Sequence, residues 1–502
     1  MSDAMIAGPL LLPAFAATAT LLFWLRYRWV GAAISIASMS GLIAIAGLLM
    51  MRASAGAPVS YALGDWPAPF GIVLVLDRLS ALMLLVTAVL GLAVALHAWL
   101  TGLDRKGWHF HALLQFQMLG VNGAFLTGDL FNLFVFFEVL LIASYGLLLH
   151  GQGARRLTAG VQYVVVNLIG STLFLIALGL LYGTTGTLNM ADMAVRGAAL
   201  PAGNRGLFEA GGFILAVVFA LKAALVPLHL WLPRTYAAAA PAVAAMFAIM
   251  TKVGAYSLIR IMPLIFGDAS AMFLLPTALA TIVLGFAGLL AARSLGDLAA
   301  FALLGSTATL LAAVALFEEP ALSAALYYLP HTTLSAALLF LTVDLVTRWR
   351  GLEGERIVAA PRFQGQALAG MLFLAAGVAV TGLPPLSGFI GKLLILRAVS
   401  SSPHIAWIWG TVLVTSLIGV IGFSRAGSDL FWKKVETPEV TGDQPALRVR
   451  EALPAFFLLA LLVTLTVAAG PITAYAEAAS HQVFDTAGYI RSVLGPEAGG
   501  SR

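Results

Sequence analysis

Cysteine is absent from this sequence, and charged residues are scarce. The absence of cysteine excludes disulfides, thiolate-bound zinc and cysteine-ligated iron–sulfur clusters. Charged residues make up 10% of the chain, against roughly 25% in a soluble domain, and hydrophobic residues make up 61%. This composition predicts a membrane protein. The net charge of +5 is no reason to expect nucleic-acid binding, because membrane topology distributes the basic residues.

The chain also lacks a loop long enough to form a soluble domain. The longest predicted loops, about 184–209, 348–366 and 426–451, are too short for a hydrophobic core of their own. The first three residues carry no basic charge, so we interpret the first apolar segment as a retained helix rather than a cleaved signal peptide. We find no metal-ligand cluster, nucleophile motif or glycine-rich nucleotide loop. We therefore predict no cofactor, no metal site and no enzyme active site.

What the chain has in abundance is apolar segments of about 20 residues, each long enough to cross the bilayer as a helix. The predicted fold class is an all-α polytopic membrane protein with about fourteen transmembrane helices. The segments are 4–25, 30–51, 72–100, 108–127, 129–150, 160–183, 210–231, 241–262, 270–291, 297–317, 322–347, 367–397, 405–425 and 452–475.

The distribution of basic residues predicts the orientation. Loops after odd-numbered helices hold seventeen of the 28 lysines and arginines, and the opposite side holds eight. By the positive-inside rule the first group is cytoplasmic, which places both termini outside. The other three are lysines within the apolar segments. We expect the bacterial inner (plasma) membrane, with the charged loop 426–451 on the cytoplasmic surface.

Proline interrupts two of the predicted helices close to a lysine. In helix seven, Pro227 follows Lys222 by about one turn, and in helix twelve Pro384 and Pro385 precede Lys392. Broken helices at corresponding places in two halves are typical of ion sites in inverted-repeat transporters. The alternative is that these prolines only kink packed helices.

The two breaks are five helices apart, which predicts two inverted five-helix repeats, helices 4–8 and 9–13. The predicted organisation is helices 1–3 in 1–107, the first repeat in 108–265, the second repeat in 266–426, and a cytoplasmic loop, helix 14 and tail in 427–502.

Four charges within the apolar segments are the strongest functional signal. A charge near the bilayer centre costs at least ~2.5–3.5 kcal/mol, so it normally faces a partner or a hydrated path. Glu138 lies nine residues into its segment, roughly 13 Å deep. Its natural partner is Lys222. We predict that contact between them gates proton release from the lysine; the alternative is a static ion pair.

Lys252, Lys392 and His331 are predicted to carry protons onward. Lys252 has no acid nearby in sequence and lies about ten residues from either end of its segment, which is too deep for easy snorkelling. His331 could bridge the two lysines, or could only pack and hydrogen-bond. His229, Asp129, Ser335 and Thr251 are secondary candidates.

Two further charge pairs are predicted from spacing alone. Asp344 and Arg348 are four residues apart near the end of a helix, which favours a structural surface pair. Asp77 and Arg78, near the outer end of helix three, are expected to form a pair or a lid over the outer entrance.

Three motifs resemble those of the antiporter-like membrane subunits. They are GDLFNLFVFFE at 128–138, FALK at 219–222 leading to HLWLP at 229–233, and GLPPLSGF at 382–389. This superfamily includes proton-pumping subunits of NADH–quinone oxidoreductase and the large subunits of Mrp cation/proton antiporters. The resemblance covers nearly the whole chain. It implies fourteen helices with inverted repeats and a proton-translocating charged axis, which we define as Glu138, Lys222, Lys252, His331 and Lys392.

Within the superfamily, the 127–148 stretch and the length are most similar to the D-type Mrp subunits. M-type respiratory subunits usually have glutamate where Lys392 stands, and L and N types usually have lysine where Ser335 stands. The L-type respiratory and A-type Mrp subunits carry C-terminal additions that this chain lacks.

The resemblance implies a proton-translocating subunit of a multi-subunit Na⁺/H⁺ antiporter, with A-, B-, C-, E-, F- and G-type partners. The alternatives are a proton-pumping subunit of NADH–quinone oxidoreductase or a related redox complex, and, from the residues alone, a free-standing carrier of an organic solute.

Overall fold

The structure is a computed structural model that describes residues 3–23, 28–433 and 448–496. Most of the predicted cytoplasmic loop, 434–447, and the end of the predicted tail, 497–502, lie outside the described residues. The rest of the chain is built almost entirely from helices, as its composition predicts.

The helices divide into four groups along the chain. The N-terminal group is α1 (Gly8–Phe23), α2 (Arg28–Ser54) and α3 (Arg78–Thr101). The region of the first predicted repeat holds α4 (Phe110–Leu126), α5 (Leu130–Leu149), α6 (Ala154–Thr185), α7 (Met190–Ala198), α8 (Ala202–Lys222), α9 (Trp231–Ala238), α10 (Pro241–Phe247) and α11 (Met250–Ile261). The region of the second holds α12 (Ala271–Ala291), α13 (Leu295–Val314), α14 (Glu319–Trp349), α15 (Gln366–Thr381), α16 (Ser387–Ala398) and α17 (Ile405–Gly427). The C-terminal group is α18 (Leu453–Val467), α19 (Ala469–Phe484) and α20 (Thr486–Leu494).

Twelve helices in the described part of the chain are long and apolar enough to cross a membrane. The polytopic membrane fold is therefore confirmed. Two of the fourteen predicted segments fall outside this set. Helix α4 has 17 residues, and the predicted segment 367–397 is divided into α15 and α16.

A small antiparallel hairpin interrupts the all-helical prediction. Strands β1 (Val59–Ala62) and β2 (Val73–Leu76) pair in register from Val59 opposite Leu76 to Ala62 opposite Val73. The predicted third helix began at residue 72, which is wrong: its first residues form β2, and α3 begins at Arg78. Alternating β-branched residues favour a strand at this point, and Asp77 caps α3 by accepting a hydrogen bond from the backbone N–H of Ser80 at 2.8 Å.

Both proline-containing segments are non-helical at the proline. Helix α8 ends at Lys222 and α9 begins at Trp231, with Pro227 between them. Helix α15 ends at Thr381 and α16 begins at Ser387, with Pro384 and Pro385 between them. Proline has no backbone N–H to donate and its ring clashes with the preceding turn. The peptide bonds before Pro227 and Pro385 are cis.

A pattern of backbone hydrogen bonds recurs in the two predicted repeats. In the first, the start of α5 bonds to the loop after α6; in the second, the start of α13 bonds to the loop after α14. The bonds are Leu130 N–H to Leu188 O (2.8 Å) and Met190 N–H to Gly128 O (2.9 Å), then Leu295 N–H to Glu355 O (2.8 Å) and Ile357 N–H to Arg293 O (3.0 Å). This recurrence supports the repeats, which stay a prediction.

The buried hydroxyl contacts repeat as well. Ser144 and Tyr163 are hydrogen-bonded at 3.0 Å between α5 and α6. Ser306 and Tyr328 are hydrogen-bonded at 3.1 Å between α13 and α14. Each tyrosine is fully buried, where a hydroxyl needs a partner. The helix pairs α5–α6 and α13–α14 thus use the same contact.

The predicted Asp77–Arg78 pair is wrong. Asp77 instead pairs with Arg260 of α11 at 2.5 Å, and the two side chains are 1% and 6% exposed. Arg78 donates to the carbonyl of Ser54 at 2.7 Å. Neighbouring residues at a helix start point in different directions, so Asp77 reaches across to the next packed helix. This buried ion pair joins α3 to α11.

The predicted Asp344–Arg348 pair is also wrong. Asp344 accepts from the Nε2 of His97 on α3 at 2.8 Å. Arg348 pairs with Glu451, just before α18, at 3.6 Å. Helix α14 is almost entirely buried, so charged residues along it meet neighbouring helices rather than solvent. Contacts between helices therefore take precedence over the four-residue spacing.

Two predicted irregular regions contain helices. The loop 184–209 contains α7 and the start of α8, and Asn189 caps α7 by accepting from the N–H of Ala191 at 3.0 Å. The predicted single helix 14, 452–475, is wrong: it is divided into α18 and the first part of α19, and the described part of the tail holds the rest of α19 and α20. Pro471 stands near the start of α19, where proline is tolerated because that N–H has no partner within the helix.

Candidate functional site

Lys222 lies at the last position of α8, directly before the proline break. Its side chain is 5% exposed. The ammonium donates to the side-chain carbonyl of Asn167 on α6 at 2.9 Å and lies 5.8 Å from the centre of the Phe137 ring. A helix C-terminus carries partial negative charge, so it stabilises a cation at this position. Neutral groups thus hold the side chain of Lys222, and the charge of Glu138 also acts on its ammonium.

Glu138 is held by the same helix that holds Lys222. Its carboxylate accepts a hydrogen bond from the hydroxyl of Ser171. Asn167 and Ser171 are four residues apart on α6, so they lie one above the other on one face. Within the described part of the chain, no ion pair of 4.0 Å or less joins Glu138 to Lys222. Polar groups of α6 therefore hold each of the two predicted partners separately.

Lys252 is fully buried at the start of α11. Its ammonium donates to the hydroxyl of Thr307 on α13 at 2.8 Å and to Thr251 at 3.4 Å. Thr251 and Thr307 are also within 3.4 Å of each other. The exposed fraction of this lysine is 0%, in agreement with its predicted depth. Its neighbours are hydroxyls, which both donate and accept hydrogen bonds.

Hydroxyls lead on from Thr307 toward His331. The adjacent Ser306 is 2.5 Å from Thr332 and 3.1 Å from the hydroxyl of Tyr328. The ring of Tyr328 lies 5.2 Å from the imidazole of His331. All of these side chains are buried on α13 and α14. Buried polar side chains therefore extend along α13 and α14 from the side of Lys252 to that of His331, without a continuous chain of hydrogen bonds among the described residues.

His331 lies between the two lysines that it was predicted to bridge. Its Nδ1 is hydrogen-bonded to Ser387 on α16 at 2.9 Å, and the charges of both Lys392 and Lys252 act on the imidazole. Its Nε2 has no side-chain hydrogen-bond partner among the described residues. The backbone carbonyl of Ala379 also acts on the imidazole as a hydrogen-bond acceptor.

Lys392 reaches back across the break to the end of α15. Its ammonium donates to the backbone carbonyl of Thr381 at 2.7 Å and to the hydroxyl of Ser416 on α17 at 2.9 Å. The ring centre of Phe286 lies 5.3 Å away. Lys222 ends the half-helix before its break, and Lys392 donates to the end of the half-helix before its own. In both cases the cation meets a helix C-terminus.

The backbones of α8 and α11 meet between Lys222 and Lys252. A Cβ added at Gly254 would lie 2.7 Å from the backbone nitrogen of Ala223 and 2.8 Å from the carbonyl of Phe219. Only glycine permits this approach. The end of α8 therefore packs against α11 two residues from Lys252. The helices that carry the two lysines are in contact through their backbones, and among the described residues no shared hydrogen bond joins the two ammonium groups.

The secondary candidates separate into two groups. Thr251 contacts Lys252 directly. Ser335 is buried on α14 and donates to the carbonyl of Thr332 at 3.4 Å, so its hydrogen bond stays within its own helix. His229 lies in the linker between α8 and α9, with a buried Nδ1 that has no partner among the described residues.

Asp129 caps α5 by accepting from the N–H of Asn132 at 2.8 Å. Burial raises the pKa of Asp129, and hydrogen bonds from the backbone of Asn132 and Phe131 oppose that rise. Because the folded protein favours the protonated acid, stability falls as the pH rises through the raised pKa of Asp129 and the carboxyl group ionises. Asp129→Asn removes that cost and keeps the cap.

We expect Asp129→Asn to leave transport nearly unchanged and the protein at least as stable as wild type, and Asp129→Ala to cost about 1 kcal/mol of unfolding free energy, the usual value for a lost N-cap. Thermal unfolding of the detergent-solubilised complex measures the difference. Lost transport in a stable Asp129→Asn protein would place the carboxyl in the proton path instead.

The residues that hold the axis were missed from the sequence. They are Asn167, Ser171, Thr307, Ser306, Tyr328, Thr332, Ser387, Thr381 and Ser416. One signal was present: Tyr163, Asn167 and Ser171 recur every four residues in an otherwise apolar stretch. That spacing places polar groups on one face of a helix. The others are isolated hydroxyls and the backbone carbonyl of Thr381, which form no pattern in the sequence.

Glu138 lies on the outward side of α5. Phe131, Val135 and Ile142 are 48%, 39% and 64% exposed, and Glu138 lies on the same face by helical spacing. Its carboxylate is half-buried, unlike the lysines. This end of the axis therefore borders the surface of the chain within the membrane.

Comparisons with known proteins identify the family of this chain. A family model described as NADH:quinone oxidoreductase/Mrp antiporter, TM matches residues 127–419, which include all five residues of the charged axis. A probable K⁺/H⁺ antiporter D-type subunit from Rhizobium meliloti (strain 1021) is 41% identical, over 100% of this chain and 99% of the relative. A Na⁺/H⁺ antiporter D-type subunit from Bacillus subtilis (strain 168) is 33% identical, over 97% of this chain and 98% of the relative.

A solved structure has the same architecture. A chain in the structure of the Mrp complex from Dietzia sp. DQ12-45-1b superposes with a TM-score of 0.87 at 27% identity, covering 98% of this chain and 100% of that one. The sequence similarity and the structural similarity therefore both extend over essentially the whole chain. The chain belongs to the NADH:quinone oxidoreductase/Mrp antiporter transmembrane family.

Proposed function

We propose that the chain is the D-type subunit of a multi-subunit monovalent cation/proton antiporter and carries protons along the charged axis. The observation that supports this proposal is the set of buried hydrogen bonds made by Lys222, Lys252, Lys392 and His331. Each lysine is at most 6% exposed and is held by neutral groups. A buried cation without a carboxylate is retained where its charge has a use.

In the proposed mechanism the proton moves because a change in the charge of one group changes the proton affinity of the neighbouring group. Here Glu138 is hydrogen-bonded to Ser171 and its charge still acts on Lys222, which favours the lysine cation. In the proposed gating step, movement of Glu138 away from Lys222 lets the lysine release its proton. Each step changes the charge that the next group meets, so the sites titrate as a coupled set. Lys252 carries the path to the end of the first repeat, and His331 and Lys392 continue it through the second.

Glu138 gives the axis an end at the surface of the chain. A carboxylate facing hydrocarbon is costly, so a neighbouring subunit is the proposed cover for this face of α5. The partners of the proposed complex are subunits of A, B, C, E, F and G type. The proposed location is the bacterial inner membrane with both termini outside, on the distribution of basic residues.

The alternative function is proton pumping in a redox complex, since the matching family model covers both kinds of protein. Everted membrane vesicles holding the whole complex separate the two. With no electron donor present, addition of Na⁺, K⁺ or Li⁺ should drive proton movement only in an antiporter. The cation that gives the largest response identifies the exchanged ion.

We expect Glu138→Gln to lower this exchange by about 10²-fold, the lower end of the range for a lost proton-transfer group. Glutamine keeps the size and an acceptor for Ser171, and removes the charge. The matched control is Glu209→Gln, because Glu209 is 66% exposed and pairs with Arg205 on the surface of α8. Equal exchange in wild type and Glu138→Gln, with normal assembly, would refute the gating role.

A further inference from the structure

An apolar groove lies between α15 and α17 on the outward side of the chain. It has a volume of about 930 Å³ and extends from Arg362, just before α15, to Thr381 at the end of that helix. Leu374, which lines the groove, is 64% exposed, so the groove opens to the hydrocarbon around a membrane-spanning helix. The carbonyl of Thr381 accepts a hydrogen bond from Lys392. The inner end of the groove therefore borders the last lysine of the charged axis.

Phenylalanine rings packed against glycines form the floor of the groove. The rings of Phe431 and Phe423 lie beside Gly370 and Gly377 of α15, at 3.6 and 3.1 Å from where a Cβ would stand. The ring of Phe373 is 5.6 Å from that of Phe423 and 5.7 Å from that of Phe431, centre to centre. Helix α15 contains no charged residue. The middle of the groove is therefore entirely apolar.

The lining carries charge at one end only. The Arg362 side chain is exposed there, and among the described residues no ion-pair partner lies within 4.0 Å of it. Gln366 donates to the carbonyl of Phe431 at 2.7 Å, which places Trp432, 74% exposed, at the same end. The distribution of basic residues assigns both of these loops to the cytoplasm, and tryptophan is enriched at membrane boundaries. This end is thus the cytoplasmic end of the groove.

We propose that the groove binds an anionic phospholipid of the cytoplasmic leaflet. The guanidinium of Arg362 binds the phosphate, since a planar guanidinium can donate to two phosphate oxygens at once. An acyl chain lies over the phenylalanine rings and points toward Thr381. Basic pockets between transmembrane helices on the cytoplasmic side bind anionic head groups. From Arg362 inward the lining changes from cationic to apolar, in the order in which the acyl chain follows the phosphate of a phospholipid.

The other candidate occupant is a neighbouring subunit. A protein surface over this groove would need an acidic group opposite Arg362, because a cation buried without a partner is costly. A phospholipid supplies the anion and the apolar chain in one molecule. The site does not depend on the proposed antiport function, since lipid binding is measured without transport.

The test measures lipid binding to the purified whole complex after delipidation in detergent. Phosphatidylglycerol, or phosphatidylcholine with the same acyl chains, is added back, and native mass spectrometry counts the bound molecules. We expect Arg362→Gln to weaken phosphatidylglycerol binding about fivefold, the effect of one arginine beside an anionic lipid, and to leave phosphatidylcholine binding unchanged. Arg362→Lys keeps the charge and should keep most of the affinity.

Gly370→Leu tests the apolar part of the site. Its Cβ would meet the Phe431 ring at 3.6 Å, an ordinary contact, so the leucine should enter the groove without disturbing α15. We expect one phosphatidylglycerol fewer per copy of the chain. The matched controls are Arg356→Gln, which breaks an exposed pair with Glu353, and Gly410→Leu on α17, where a Cβ meets nothing within 4 Å. Both should bind lipid as the wild type does.

Cross-linking distinguishes the two occupants. The chain has no cysteine, so Leu374→Cys gives it a single thiol, to which a photoreactive benzophenone is attached. After illumination of the complex in membranes that contain phosphatidylglycerol, an adduct of this lipid supports the proposal, and an adduct with another subunit overturns it. Equal phosphatidylglycerol affinity in wild type and Arg362→Gln, or unchanged binding in Gly370→Leu, would also overturn it.

Discussion

Lys222→Met should reduce cation-driven proton exchange by at least about 10²-fold without preventing assembly of the complex. Methionine has a similar length and suits an apolar site, so the packing of α8 is retained. What is lost is the buried cation between Asn167 and the α8 terminus. Exchange is measured in everted vesicles at equal amounts of assembled complex.

The control for Lys222→Met is Lys433→Met. Lys433 has a side chain 63% exposed and pairs with Asp429 one turn away, so its loss should leave exchange unchanged. Asn167→Leu adds a second test, because it keeps the lysine and removes the acceptor of its ammonium, together with a hydrogen bond to the carbonyl of Tyr163 within α6. We expect it to lower exchange less than Lys222→Met does. Wild-type rates in Lys222→Met would remove this lysine from the proton path.

Asp77→Asn should lower the free energy of unfolding by about 3–5 kcal/mol, the usual cost of breaking a buried ion pair by removing one partner. Arg260 is 6% exposed and lies between the rings of Tyr256 and Tyr489, at 5.6 and 5.3 Å. These rings keep the guanidinium from water once its carboxylate is gone. Asparagine still caps α3, so the loss reports the charge alone.

Thermal unfolding of the purified complex in detergent measures this loss. The double variant Asp77→Asn, Arg260→Met should recover most of it, because removing both charges leaves no unpaired one. Glu209→Gln, which breaks the exposed pair with Arg205, should change stability by less than about 1 kcal/mol. If Asp77→Asn is as stable as the wild type, the Asp77–Arg260 ion pair makes no net contribution to the free energy of unfolding.

The location of the axis residues was predictable for a physical reason. A charge in hydrocarbon is so costly that it stands out in any apolar segment, and Glu138, Lys222, Lys252 and Lys392 were found in this way. The burial of the three lysines agrees with that expectation. The positions of the proline breaks followed from the missing backbone donor.

Their partners were not predictable. Lys222 was expected to contact Glu138, yet Asn167 and Ser171 on α6 hold the two separately. Asp77 and Asp344 were assigned partners by sequence spacing, and each instead contacts another helix. Spacing describes one helix surface, whereas a buried helix is surrounded by several others.

Membrane spanning and the charges within the membrane could be predicted from the amino-acid sequence, because the length of an apolar segment and the presence of a charge in it are local properties of the chain. The tertiary structure alone decided which groups meet. It brought Thr307 and Thr381 to lysines, Ser387 to His331, and His97 to Asp344. Hydrogen bonds between helices depend on which faces pack together, and that is settled only when the whole bundle has formed.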